Sequence, residues 1–161
     1  MSTIAVVGAS GRTGRLVCQH LLRAGHEVVA VSRSAPDLVG VRHVPTDVLE
    51  PGGAEAALRG VDAVVVTLGI ADNPVLVRLR GARGTHGDIR SRGTRRVVEA
   101  MRTHGIERMV ALSSYGVGDS AAGLSTGMRV VFALLLRPQM DDHEVQEQVV
   151  RTSWSSIWGR S

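Results

Sequence analysis

Short apolar runs alternate with amphipathic stretches along most of this chain. Runs rich in β-branched residues at 3–7, 28–32, 41–44, 63–68 and 108–113 predict strands. Those at 3–7, 63–68 and 108–113 read as apolar runs rather than as an alternation, the pattern of parallel strands covered on both faces. Between the runs, apolar residues recur at intervals of three and four, which predicts helices near 12–24, 53–59, 89–104 and 126–151. In the first helix, Leu16, Val17, Leu21 and Leu22 form one stripe, and Gly25 ends it. In the third, Val97, Val98 and Met101 make the stripe, and Gly105 closes it.

Strand and helix taking turns in this way predicts an α/β fold. The expected architecture is a Rossmann-like, doubly wound parallel sheet between two helical layers, with right-handed crossovers. At 161 residues, the chain has the length of one domain with a proper core, 1–161. Two segments depart from the alternation. Residues 71–87 form a long loop rich in Gly and Arg, and loops of that length are commonly functional or mobile. The tail at 153–161 holds both tryptophans, Trp154 and Trp158, and has room for one short final strand. The last strand or strands of the fold are therefore expected to be short or missing. Such a sheet would keep an exposed edge, which a second copy in a homodimer can cover.

The densest chemical signal lies where the first strand meets the first helix. Ile4-Ala5-Val6-Val7 runs into Gly8-Ala9-Ser10-Gly11-Arg12-Thr13-Gly14, three glycines spaced three apart. Gly8 allows a sharp turn out of the strand, Gly11 lets a pyrophosphate approach the backbone, and Gly14 lets helix and strand pack closely. The first N–H groups of the helix and its dipole then face the phosphates. Ser10 and Thr13 add hydroxyls and Arg12 adds a positive charge. The second strand ends in Ser32-Arg33-Ser34. A carboxylate there would hold the ribose hydroxyls of NAD(H). A guanidinium pairs with a 2′-phosphate instead, so NADP(H) is favoured over NAD(H). Asp47-Val48 follows the third strand, where it can border the adenine, and Leu68-Gly69 ends the fourth.

Composition narrows the chemistry. All 19 basic residues are arginine, so no lysine is available for a Schiff base, a P-loop or a Tyr-x-x-x-Lys pair. The arginines between 78 and 108 have no aromatics among them for base stacking, which argues against nucleic acid as a partner. A solvated face and a polyanionic cofactor account better for the net charge of +4. Cys18 stands alone, which excludes an internal disulfide, and its leucine and valine neighbours predict a buried structural thiol. The longest apolar run, 130–136, is far short of the roughly 20 residues that cross a bilayer. With no basic-then-apolar leader, the expectation is a cytoplasmic protein without a membrane segment.

The Gly8–Gly14 turn, Val31-Ser32-Arg33, Asp47-Val48, the strand end at 64–69, Arg92-Gly93-Thr94-Arg95 and Ser113-Ser114-Tyr115-Gly116 resemble the atypical short-chain dehydrogenase/reductases. The resemblance is to the NAD(P)H-binding group that contains biliverdin reductase B (flavin reductase) and NmrA-like proteins, and it runs from about residue 3 to about residue 152. It implies an NADP-binding Rossmann fold, with Gly8, Ser10, Gly11, Arg12, Thr13 and Gly14 on the pyrophosphate and Arg33 on the 2′-phosphate. Asp47 and Val48 would then border the adenine, Leu68 and Gly69 the ribose, and Leu112, Ser113 and Ser114 the nicotinamide. Ser114 would stand near the transferred hydride.

The family's Tyr-x-x-x-Lys spacing falls here on His143 and Glu147, which share a helix face at i, i+4. A carboxylate beside His143 can keep it protonated as a substitute proton donor, or the pair is simply a charged surface face. Arg96 stands where many relatives carry asparagine. The agreement stops near Ser153, which leads to the expectation of a truncated or frame-shifted product. Three readings stay open. The first is a reductase passing hydride from NADPH to a small conjugated acceptor such as a flavin or quinone. The second is a non-catalytic NADP(H)-binding sensor or inactive paralogue, and the third an epimerase or isomerase relative. No metal site is expected.

Overall fold

The computed structural model describes residues 1–69, 89–112 and 148–149. The expected loop at 71–87, most of the helix at 126–151 and the tail at 153–161 lie outside the described residues. The elements run β1 (Thr3–Val7), α1 (Arg12–Arg23), β2 (Glu27–Ser32), β3 (Val41–Pro45), α2 (Gly53–Ala57), β4 (Ala63–Val66), α3 (Ile89–His104) and β5 (Arg108–Ala111). The described residues up to Gly69 and from Arg95 to Leu112 make one compact unit, which holds all five strands, whereas 89–94 group with a second.

All five described strands are parallel, in the order β3-β2-β1-β4-β5. This is the Rossmann-like doubly wound arrangement that the alternation predicts. The direction of winding reverses between β1 and β4, and β1 is buried along almost its whole length. Strand periodicity splits its side chains between two faces. Val6, Val28 and Ala30 meet Ala9 and Cys18 on one face, with Val17, Leu21 and Leu22 of α1 packed over them. Ala5, Val7, Val29, Val31, Val64 and Val66 point the other way and are buried too. Positions buried on both faces of a strand favour apolar residues, which is why 4–7 and 28–31 read as unbroken apolar runs.

Two details differ from the sequence expectation. Leu16 lies off the α1 stripe and is 53% exposed, while Cys18 takes the buried place in it. A turn of 100° per residue puts 17, 18, 21 and 22 on the sheet side and 16 on the opposite face. The run at 108–113 is also not covered on both faces. β5 is the outermost described strand on its side, and Val110 is 64% exposed. β4 and β5 end sooner than their apolar runs, at Val66 and Ala111.

Gly25 ends α1 as expected. It has φ +79, and the chain is closed there by Gly25 N–H to Leu22 O (3.0 Å) and His26 N–H to Leu21 O (3.1 Å). The same bond pair closes α3, with Gly105 N–H to Arg102 O at 3.3 Å and Ile106 N–H to Met101 O at 2.9 Å. Among the described residues, no helix is long and apolar enough to cross a membrane.

Candidate dinucleotide site

A parallel sheet gathers its strand ends on one edge, and the loops leaving that edge carry most of the residues singled out above. Gly8 to Gly14 leave β1, Arg33 leaves β2, Asp47 and Val48 leave β3, Leu68 and Gly69 leave β4, and Leu112 leaves β5. The winding reverses between β1 and β4, and in sheets of this kind ligands usually bind outside the strand ends at that point. Ser113, Ser114 and His143 lie outside the described residues.

The glycine turn is fixed by backbone bonds to its neighbours. Gly8 N–H and Ala9 N–H both donate to the Val31 carbonyl at the end of β2, at 2.9 and 3.4 Å. Gly11 N–H donates back to Gly8 O at 3.0 Å. On the β4 side, Thr67 donates both its N–H (2.8 Å) and its Oγ1 hydroxyl (2.9 Å) to Val7 O. Thr67 therefore locks the last carbonyl of β1 in place. It sits inside the run at 63–68, and the one polar residue in an otherwise apolar run was the signal available for it.

The three glycines differ in what requires them. Gly8 has φ +89, and a Cβ there would lie 2.9 Å from Thr67 O. At Gly14 a Cβ would collide with Gly8 O and come within 2.8 Å of Ala9 Cα. Both residues are required by the protein's own packing. Gly11 is different: its φ is −70 and the nearest atom to a Cβ is Gly8 O, at 3.3 Å. Among the described residues, its chain neighbours aside, nothing else comes within 4 Å. Gly11 also caps α1 with no side-chain hydrogen bond, and the first turn of that helix carries no acidic residue. The turn therefore presents open N–H donors and an unopposed dipole to the space above it. These features fit the phosphates of a dinucleotide.

The ends of β2 and β3 are tied together. Ser32 is buried, and its hydroxyl donates to Ser34 O at 2.8 Å, so the chain folds over Arg33, which is exposed. Ser32 O accepts Thr46 N–H at 3.2 Å and the His43 Nε2–H at 3.0 Å. After β3, Asp47 Oδ1 accepts Leu49 N–H at 2.9 Å, and Glu50 N–H donates to Asp47 O at 3.0 Å. Val48 is buried, and the Asp47 carboxylate builds its own turn. Leu68 is buried beneath an exposed Gly69, and Leu112, whose N–H donates to Val66 O at 2.9 Å, is 44% exposed.

Two further expectations find their place. Cys18 is fully buried, and desolvation pushes its thiol pKa up, as for a structural cysteine. Arg96 lies on the exposed face of α3, where it pairs with Glu99 at 3.4 Å, a contact of small energetic weight.

Comparisons with known proteins place the chain in the same fold. A 2-alkyl-3-oxoalkanoate reductase of Stenotrophomonas maltophilia is 33% identical over 121 residues, 73% of this chain and 35% of that protein. The chain thus spans about a third of that relative's length. Among solved structures, ChuY, an anaerobilin reductase from Escherichia coli O157:H7, aligns with a TM-score of 0.69 at 23% identity, over 95% of this chain and 68% of its own. A Thermus thermophilus UDP-glucose 4-epimerase in complex with NAD aligns with a TM-score of 0.72 at 20% identity, over 98% and 52% of the two chains. A family model described as NAD(P)H-binding matches residues 8–156, from the glycine turn onward, and the chain belongs to the NAD(P)H-binding family.

Proposed function

We propose that this chain is an NADP(H)-binding oxidoreductase domain, 1–161, that takes a small conjugated acceptor such as a flavin or quinone. The observation that carries the cofactor choice is the position of Arg33. It lies two residues beyond Val31, whose carbonyl holds the glycine turn, and at the apex of a fold closed by the Ser32 hydroxyl. The residue that carries the cation and the glycine turn are thus joined through the backbone at the end of β2.

In this reading Gly8, Ser10, Gly11, Arg12, Thr13 and Gly14 hold the pyrophosphate and Arg33 the 2′-phosphate. Asp47 and Val48 border the adenine, Leu68 and Gly69 the ribose, and Leu112 with Ser113 the nicotinamide. When bound, the cofactor supplies a hydride equivalent to the acceptor. The chain's own residues contribute position: the backbone bonds at Gly8, Ala9 and Thr67 set the bed before any ligand arrives. Ser114 orients the acceptor, and His143 or water provides the proton. The reductase names of two relatives support reduction as the reaction class.

The lysine-free sequence favours a second reading, a protein that binds NADP(H) without turnover. Fluorescence titration separates the cofactor question from the reaction. NADPH should bind more tightly than NADH, and Arg33→Ala should weaken NADPH by about 10- to 100-fold, the worth of a charge-assisted pair, with little effect on NADH. Equal affinities in the unmodified protein would overturn the NADP assignment. Oxidation of NADPH with FMN or a quinone supports the reductase, and binding without oxidation across such acceptors supports the second reading.

A further inference from the structure

We infer that His43 is a positioning residue for cofactor choice: it fixes the Ser32-Arg33-Ser34 turn so that Arg33 is held where a 2′-phosphate would be met. This rests on the NADP(H) reading above.

His43 stands in β3 opposite Ala30 of β2. Neighbouring positions on parallel strands share a sheet face, and residues two apart along a strand do too. His43, Ala30 and Ser32 therefore line one face. The ring reaches along that face to the end of β2, with Nε2 3.0 Å from Ser32 O and 3.4 Å from Ser32 Oγ. A carbonyl oxygen can only accept, so Nε2 carries the hydrogen. The Ser32 hydroxyl spends its own hydrogen on Ser34 O. One N–H thus ties down the residue before Arg33, and that residue in turn ties down the one after it.

The alternative role for His43 is generic edge support for β3. The bonding argues for something more specific. β2 and β3 are already joined in register from Val28–Val41 to Ser32–Pro45, and Thr46 N–H also reaches Ser32 O. The strand pair does not need the imidazole to form. What the ring adds is a second donor on Ser32 and a contact with the hydroxyl that shapes the Arg33 turn. Its loss would loosen the turn and leave the sheet intact.

The test compares His43→Leu, which removes the donor, with His43→Gln, whose side-chain amide can restore one. Arg33→Ala is the reference, and NADPH and NADH are titrated separately for each protein. H43L should weaken NADPH by about 3- to 10-fold, the usual worth of one net hydrogen bond, and change NADH by less than about twofold. H43Q should recover most of the NADPH affinity. Equal loss of both cofactors in H43L would make His43 a merely structural residue and overturn the inference, as would unchanged NADPH affinity in a protein where R33A still abolishes the preference. If the unmodified protein shows no preference, the NADP(H) reading and this inference fall together. If H43L does not fold, H43Q decides alone against His43→Asn, whose shorter amide falls short of Ser32: retained preference in H43Q with loss in H43N supports the inference, and equal behaviour overturns it.

Discussion

Replacing Gly14 or Gly11 by alanine adds the same methyl group to the same turn, yet the two changes should fail in different ways. At Gly14 the new carbon would run into Gly8 O, with Ala9 Cα at 2.8 Å and Gly8 C at 2.9 Å. All three are backbone atoms, so no rotamer change relieves the contact. Overpacking of this kind costs about 1–3 kcal/mol, and rigid backbone neighbours put G14A at the upper end. For a chain of this size, about 3 kcal/mol lowers Tm by about 6–12 °C. At Gly11 the neighbour that a Cβ meets among the described residues is Gly8 O at 3.3 Å, and a φ of −70 suits alanine. The turn yields by a few tenths of an ångström, and lost capping preference is offset by lower chain entropy in the unfolded state. G11A should therefore keep Tm within about 2 °C. Its methyl group projects into the open side of the turn, so NADPH affinity should fall at least about tenfold. Thermal denaturation followed by circular dichroism, paired with NADPH titration, reads both effects. A G11A protein that binds NADPH normally would refute the ligand role of that glycine, and a G14A protein as stable as the parent would refute the packing argument.

Thr67→Val keeps the shape of the side chain but removes the hydroxyl bond to Val7 O, leaving the 2.8 Å backbone bond in place. It should cost about 0.5–1.5 kcal/mol, a Tm loss of about 1–6 °C in the same melting assay. The buried Cys18 thiol has a raised pKa, so the unfolded chain loses its proton at lower pH than the folded one. The folded state then holds more protons through this interval, and stability should fall as pH rises above the ordinary thiol range, about 8.5. Melting curves between neutral and alkaline pH should show a shallower decline in Cys18→Ala than in the parent protein, and identical slopes would contradict the assignment.

Local pattern was enough to find the strands, because a two-faced burial requirement writes itself into consecutive residues such as Ala5, Val6 and Val7. Gly25 and Gly105 were legible for a similar reason: a helix end needs its closing residue at one place in the chain. What pattern could not show were contacts set by strand order. Thr67 meets Val7 across 60 residues of sequence, and His43 meets Ser32 only because β3 lies beside β2. Nor could an apolar run tell a central strand from an outer one. The run at 63–68 begins in a buried strand and the run at 108–113 in one whose Val110 faces outward, although both read alike. The glycine spacing located the turn correctly, but only the built backbone separates Gly11, which the fold does not need, from Gly8 and Gly14, which it does.

The double acceptance at the Val31 carbonyl has a practical consequence for redesign. The glycine turn is joined to β2 through peptide groups, the Gly8 and Ala9 N–H on Val31 O, and among the described residues no side chain is part of that joint. On the proposed reading, residues from Ser32 onward can be exchanged to reprogram which nucleotide is selected while the turn is inherited unchanged. Grafting a different β2 end onto this scaffold should act as a module swap, leaving the glycine turn to serve whichever nicotinamide the new loop admits.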